Sequence, residues 1–111
     1  MVREQVIDAL VRARGLVERG WCQGWFALDA DGLMAATMSP QACRFCALGA
    51  THRAAGTSAG VAADCCAALR QALGMPGVGI DQWNDAPERT QSDVLALYDR
   101  AIALARAEVA P

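Results

Sequence analysis

Apolar residues at helical spacing recur through most of this chain and constrain its fold more than any other feature. The first such segment spans residues 2–19. Val6, Leu10 and Val17 lie there on one helical face, and charged residues can share the other. Gly20 follows as a plausible helix end. Alanine dominates the helical segments and aromatic residues make up only 5% of the chain. The pattern predicts an all-α protein with small side chains where helices cross.

Capping signals predict three further helices. Ser39, with a proline directly after it, favours a second helix that reaches about Ala55. A third helix is expected over 58–73, where glycine follows as a stop. A last helix should start after the capping signals at 85–93 and continue to about residue 107. Its buried stripe is expected to comprise Val94, Leu97, Tyr98, Ala101, Leu104 and Ala105.

A tight-turn dipeptide, Asp31-Gly32, interrupts the helical pattern after the first helix. It predicts a small β-hairpin that pairs Trp25–Leu28 with Leu33–Ala36. A two-stranded hairpin is not stable alone, so it must pack on the helices. Because 111 residues suit one domain, we expect residues 1–111 to form a single bundle-like domain of about four helices and this hairpin.

Charge and hydropathy exclude several classes of function. The formal net charge is −2, and all ten basic residues are arginines without a basic stripe. Nucleic-acid and anionic-membrane surfaces are therefore not expected. No run of about 18 apolar residues marks a membrane span, and the N-terminal segment lacks the apolar stretch of a secretion signal. We expect a cytoplasmic protein whose five cysteines are free thiols.

The spacing Cys43-x-x-Cys46, with His52 six residues later, raises the question of zinc. On the predicted second helix, His52 points about 180° from Cys43 and about 120° from Cys46, so it cannot join them in one metal site. A zinc site would then need Cys22 or a thiol from 65–66. We expect no metal and no cofactor, with the cysteines acting mainly as small buried residues.

A cysteine-dependent enzyme is the alternative function. Cys22 would be its nucleophile and His52, the only histidine, its base. Asp85 would orient the histidine, with Asp81 or Asn84 as substitutes. A thiol redox switch that uses Cys22 belongs to the same alternative.

The stretch "GWCQGW", residues 20–25, concentrates two tryptophans and a cysteine between glycines. We predict that it folds back as a lid over one end of the helices. Trp21 should be buried, with Cys22 beside it as a neutral thiol, because no imidazole or well-placed cation neighbours it. Trp25 and Gln23 should stay partly exposed.

Recognition through two polar-aromatic loops, 21–25 and 81–89, is the leading hypothesis for function. Its candidate ligand-binding residues are Trp21, Cys22, Gln23, Trp83, Asn84, Asp85 and Arg89. In the competing interpretation the two tryptophans fill the core while Asn84 and Asp85 cap the backbone. The partner would be a protein or a small molecule, and the alanine-rich helix faces make a homodimer plausible.

Three blocks of the chain, "RGWCQGWFALDADG", "ACRFCALGATHRAAG" and "IDQWNDAPERTQSDVLALYDRAIALAR", together resemble a family of short bacterial and phage proteins of unknown function. The resemblance implies a shared fold and an association with phages or mobile elements, but no transferable activity. Thr51-His52 departs from the family's pattern, which weakens His52 as a catalytic base. The matching positions are Trp21, Cys22, Cys46, Leu48, Gly49, Ala50, Arg53, Ala54, Trp83, Asn84, Asp85, Arg89 and Thr90.

Overall fold

The computed structural model describes residues 3–109, which form five helices and one short two-stranded antiparallel ribbon. The expected all-α, bundle-like fold with a small β element after the first helix is confirmed. None of the helices in this part of the chain is both long and apolar enough to span a membrane. The elements in chain order are α1 (Arg3–Arg19), β1 (Ala27–Leu28), β2 (Arg44–Phe45), α2 (Ala47–Ala55), α3 (Ala59–Leu73), α4 (Ile80–Asn84) and α5 (Gln91–Val109).

Helix α1 lies at the centre of the packing and contacts α2, α3 and α5. Leu10 and Val17 are fully buried on its inner face, as the helical spacing predicts. Ala9 and Ala13 lie on the same face and are also buried, so the small side chains leave room for close helix contacts. The core therefore consists of medium-sized aliphatic side chains between alanine-lined crossings.

The buried stripe of α5 agrees with the prediction at five of its six positions. Leu104 is the exception, because it is 36% exposed, whereas Ile102 is buried instead. Leu104 lies about 80° from the centre of the stripe. It borders a shallow cleft with Arg3 and Asp64, where no helix covers it fully.

The predicted start of the second helix at Ser39 is wrong, because α2 begins at Ala47. Ser39 does bind the backbone, but its Oγ accepts from Gln41 N in a local turn. The true N-cap is Cys46, whose Sγ accepts from Gly49 N at 3.3 Å. Cys43 therefore lies outside the helix, so the helical-angle argument about Cys43 and His52 fails.

The second strand of the ribbon also differs from the prediction. Ala27 pairs with Phe45 and Leu28 with Arg44, so β1 pairs with the residues before α2 rather than with 33–36. The predicted turn is present, since Asp29 N donates to Leu33 O at 2.8 Å. Beyond it, pairing with 33–36 is limited to an isolated bridge from Leu28 to Met34 and the bond from Ala35 N to Ala27 O. Residues 33–43 therefore form an irregular segment over the bundle end.

Helix α3 matches its predicted bounds, whereas the short helix α4 was not predicted from the sequence. Ser58 caps α3 by accepting from Val61 N, and Gly74 ends it with a left-handed backbone. Residues 80–84, to which no helix was assigned, form the short α4. Ile80 and Trp83 are buried on its inner face. Asn84 is the last residue of this helix and is also buried.

Candidate functional site

Asn84 is completely buried and joins three parts of the chain through its side chain. Its Oδ1 accepts from Trp21 Nε1 at 2.9 Å and from Ala47 N at 3.1 Å. Its Nδ2 donates to Cys22 O at 3.2 Å and to Asp85 Oδ1 at 2.9 Å. Because an indole N–H only donates, these partners also determine the orientation of the amide. We call Asn84 and these four partners the asparagine junction.

Further hydrogen bonds attach the loop at 20–25 to the end of α4. Gln23 Nε2 donates to Asn84 O and to Ala86 O, both at 2.9 Å. Gly24 N donates to Asp85 Oδ1 at 3.0 Å. The structure thus brings together the two loops in which the candidate binding residues were placed.

Arg89 supports the same region from the α5 side. Its guanidinium carbon lies 4.1 Å from the ring centre of Trp83, and its Nε donates to Trp83 O at 2.8 Å. The guanidinium also pairs with Asp93 at 3.6 Å. Trp83 itself is buried. In this arrangement Arg89 and Trp83 stabilise each other through a cation–π contact, and both hold the junction in place.

The residues of the lid, 20–25, are buried or exposed as predicted, except for Trp21. Cys22 is buried, and Gln23 and Trp25 are exposed. Trp21 is only half-buried, because its indole reaches Asn84 from the edge of the core. The segment therefore covers the junction.

The thiol of Cys22, in the lid, lies near the thiol of Cys46, at the start of α2. Trp21 forms a parallel bridge with Phe45, and Cys22 N donates to Phe45 O at 3.2 Å, so Cys22 and Cys46 are in register. Burial raises the pKa of Cys22 to about 11, and the neighbouring Cys46 and Asp85 add to the rise. Burial also raises the pKa of Cys46. Both thiols are thus held in the protonated form, which is the poor nucleophile.

His52 lies elsewhere, exposed on α2. It lines a separate cleft with the residues around the α3 start and with Cys66. Neither Cys22 nor Asp85 lines that cleft, so the catalytic combination considered above is not assembled. Within residues 3–109, no group of three or more histidine, cysteine or acidic side chains is arranged to hold a metal ion.

An open cavity of about 550 Å³ lies beside the junction. Its large apolar lining side chains are Trp25, Phe26 and Met34, which are 54%, 56% and 68% exposed. We call these three residues the apolar wall. The full lining comprises Gly24, Trp25, Phe26, Met34, Ala35, Ala36, Thr37, Cys46, Asp81 and Asp85.

Two contacts with α2 hold the chain segments that carry this wall. A side chain at Gly49 would collide with the carbonyl of Phe26, so glycine allows the loop to lie directly on the helix. Arg53 donates to Thr37 O at 2.7 Å and to Ser39 O at 2.8 Å. The backbone beside the wall is thus anchored at Phe26, Thr37 and Ser39, while the large side chains of the wall are exposed.

Of the seven described residues proposed as binding candidates, Asp85 alone lines the cavity. The other six lie beneath or beside it, in or against the asparagine junction. Phe26 and Met34 are absent from the candidates predicted from the sequence, because the predicted hairpin places them in regular strands. The sequence does carry a signal for the cavity: a segment that lacks helical periodicity is rich in large apolar residues. These residues are Trp25, Phe26, Leu33, Met34 and Met38.

Comparison with known proteins identifies the chain at the level of the family. No curated protein and no solved structure matches it. A family model described as a family of unknown function (DUF6197) matches residues 1–104, a span that includes every residue of the cavity and of the junction. This confirms the resemblance to a family of unknown function. The chain belongs to this family, DUF6197.

Proposed function

We propose that this protein is a binding protein and that its ligand occupies the cavity beside the asparagine junction. The observation that carries the proposal is the exposure of the apolar wall around an open cavity of about 550 Å³. Ligand sites typically enclose roughly 300–1,000 Å³ and are mainly apolar with a few polar groups. Large side chains that remain exposed around such a space mark an interaction site.

The rigidity of the cavity floor supports the same proposal. Every polar atom of the Asn84 side chain has a partner, and Asp85 is held by Gly24 N and Asn84 Nδ2. Such a network fixes the cavity before a ligand arrives, which lowers the entropic cost of binding. The candidate residues of the junction would therefore act by shaping the site.

Cysteine-dependent chemistry receives less support. Cys46 does line the cavity, but the pKa of its thiol is raised by burial. Cys22, the nucleophile of the alternative hypothesis, is buried and has a pKa of about 11. A nucleophilic cysteine needs the opposite shift.

The cellular setting is part of the proposal. Five cysteines without a disulfide among them support a reducing cytoplasm, and a net charge of −2 supports a ligand other than nucleic acid. That the protein comes from a bacterium or a phage, and that it forms a homodimer, remain predictions from the sequence.

Titration with Nile red, a neutral dye whose emission reports an apolar site, tests the proposed function. Binding should saturate and shift the emission to the blue. Met34→Ser should weaken it about tenfold, equivalent to ~1.4 kcal/mol. Met75→Ser is the matched control, because Met75 is 47% exposed in a cleft away from the cavity. Equal dye binding by both variants would place the site elsewhere.

A further inference from the structure

The charged side chains that line the cavity are both acidic. Asp81 and Asp85 are exposed at its edge. Within residues 3–109, no arginine or histidine nitrogen lies within 4.0 Å of either carboxylate, although four such ion pairs form elsewhere. Asp85 Oδ1 accepts from Gly24 N and Asn84 Nδ2, which are neutral donors. Neither carboxylate is thus neutralised by a neighbouring cation.

The negative potential of these carboxylates extends to the cavity floor. Burial is the main cause of the raised pKa of Cys46, and Asp85 and Asp81 raise it further. Asp85 also adds to the rise at Cys22, where the opposing effect of Arg44 is smaller. An anion entering the cavity would therefore be repelled, and a cation would be attracted.

The aromatic part of the lining favours the same sign of charge. Trp25 and Phe26 both border the cavity and are about half exposed. The faces of aromatic rings carry negative partial charge and attract cations, and aromatic side chains recur in sites that recognise organic ammonium groups. The rings also offer apolar surface, which an inorganic cation could not use.

We propose that the cavity binds a small organic cation, an ammonium group attached to an apolar chain or ring. This inference rests on the proposed function and specifies the class of its ligand. The ammonium group would lie near Asp81 and Asp85, and the apolar part would pack against the apolar wall. A cavity of about 550 Å³ suits a small molecule.

A series of ligands with one chain and three head groups tests the charge. We expect octylammonium to bind at least tenfold more tightly than 1-octanol in low salt, measured by calorimetry, and octanoate to bind most weakly. The advantage of octylammonium over octanol should shrink in 1 M NaCl, where charges are screened within about 3 Å.

Asp81→Asn is the decisive variant, because Asp81 lies outside the asparagine junction and its replacement leaves those hydrogen bonds in place. It should lower the affinity for octylammonium about tenfold and leave that for octanol unchanged. Asp8→Asn removes the same charge in a separate cleft on α1 and should change neither affinity.

The outcomes separate this inference from the proposed function. Equal affinities for octylammonium and octanol, unaffected by Asp81→Asn, would overturn the cation inference and leave the proposed function standing. If none of the three compounds nor Nile red bound, the proposed function itself would fail. If the capped peptide acetyl-Leu-Lys-Leu-amide bound tenfold more tightly than octylammonium, the cation would belong to a protein lysine rather than to a small molecule.

Discussion

The two tryptophans of the 20–25 loop lie four residues apart and have different roles. Trp21 donates its indole N–H to Asn84 and packs against the core. Trp25 is more than half exposed and lines the cavity. Composition alone does not distinguish them. The difference arises because a buried acceptor faces the first tryptophan, whereas the second lies where the backbone turns at Gly24, with a φ of 84°.

The same contrast separates the asparagine junction from the apolar wall. In the junction, four hydrogen bonds satisfy one buried amide, so loss of the Asn84 side chain leaves several polar groups unpaired. In the wall, large side chains face solvent, so their removal costs little stability. We therefore expect stability to depend on the junction and ligand binding to depend on the wall.

The largest loss of stability is expected for Asn84→Ala. It removes the shared acceptor of Trp21 and Ala47 and leaves Cys22 O unpaired. With each unsatisfied buried group costing about 1–3 kcal/mol, the free energy of unfolding should fall by about 3–5 kcal/mol. Urea unfolding gives this value. Glu88→Ala, at an exposed position four residues further along the chain, is the control and should cost under about 0.5 kcal/mol. Comparable losses for both variants would show that the junction is not a centre of stability.

Sequence reasoning located the junction better than the cavity, for a physical reason. Asn84 and Asp85 follow a tryptophan in a polar stretch, and helix-end residues of this type usually bind backbone. The competing interpretation, in which Asn84 and Asp85 bind backbone, describes much of what these residues do. The cavity depends instead on where residues 33–43 lie, which local patterns do not determine.

The start of α2 illustrates this limit. Ser39 and Pro40 form a valid N-terminal helix signal, but the backbone groups of residues 43–46 pair with 26–28. Strand pairing between distant segments outweighs a local cap worth about 1 kcal/mol. Helices α1, α3 and α5 have no such competitor, which explains why their apolar periodicity predicted them well.

Replacing Trp21 and Trp25 in turn tests directly whether the two tryptophans differ in role. Trp21→Ala should lower the free energy of unfolding by about 3 kcal/mol, because the core loses an aromatic side chain and Asn84 loses a donor. Trp25→Ala should cost under about 0.5 kcal/mol, as a change at an exposed side chain does. Denaturant midpoints of the two variants provide the comparison. Similar losses would mean that the apolar wall is part of the folded core.

Among the junction residues, the smallest loss of stability is expected for Cys22, where the pH dependence of stability separates the junction from the surface. Its pKa is about 11 in the folded protein, against an ordinary value of 9.0. The folded state thus holds the thiol proton more tightly than the unfolded state. The resulting stability is fully present below pH 9 and is lost as the pH rises towards 11.

Cys22→Ala should therefore flatten the fall in unfolding midpoint between pH 9 and 11, while costing about 1 kcal/mol at neutral pH. Other buried thiols, among them Cys65 with a pKa of about 12, contribute to the same fall, so the informative quantity is the difference between variant and wild type. Exposed Cys43 is the matched control, and Cys43→Ala should leave the curve unchanged.

Iodoacetamide at pH 8 should likewise label Cys43 before Cys22. A curve unaffected by its removal would mean that folding does not raise the pKa of this thiol. Rapid labelling of Cys22 would mean that the thiol is accessible and reactive, and cysteine chemistry would then become the leading hypothesis for function.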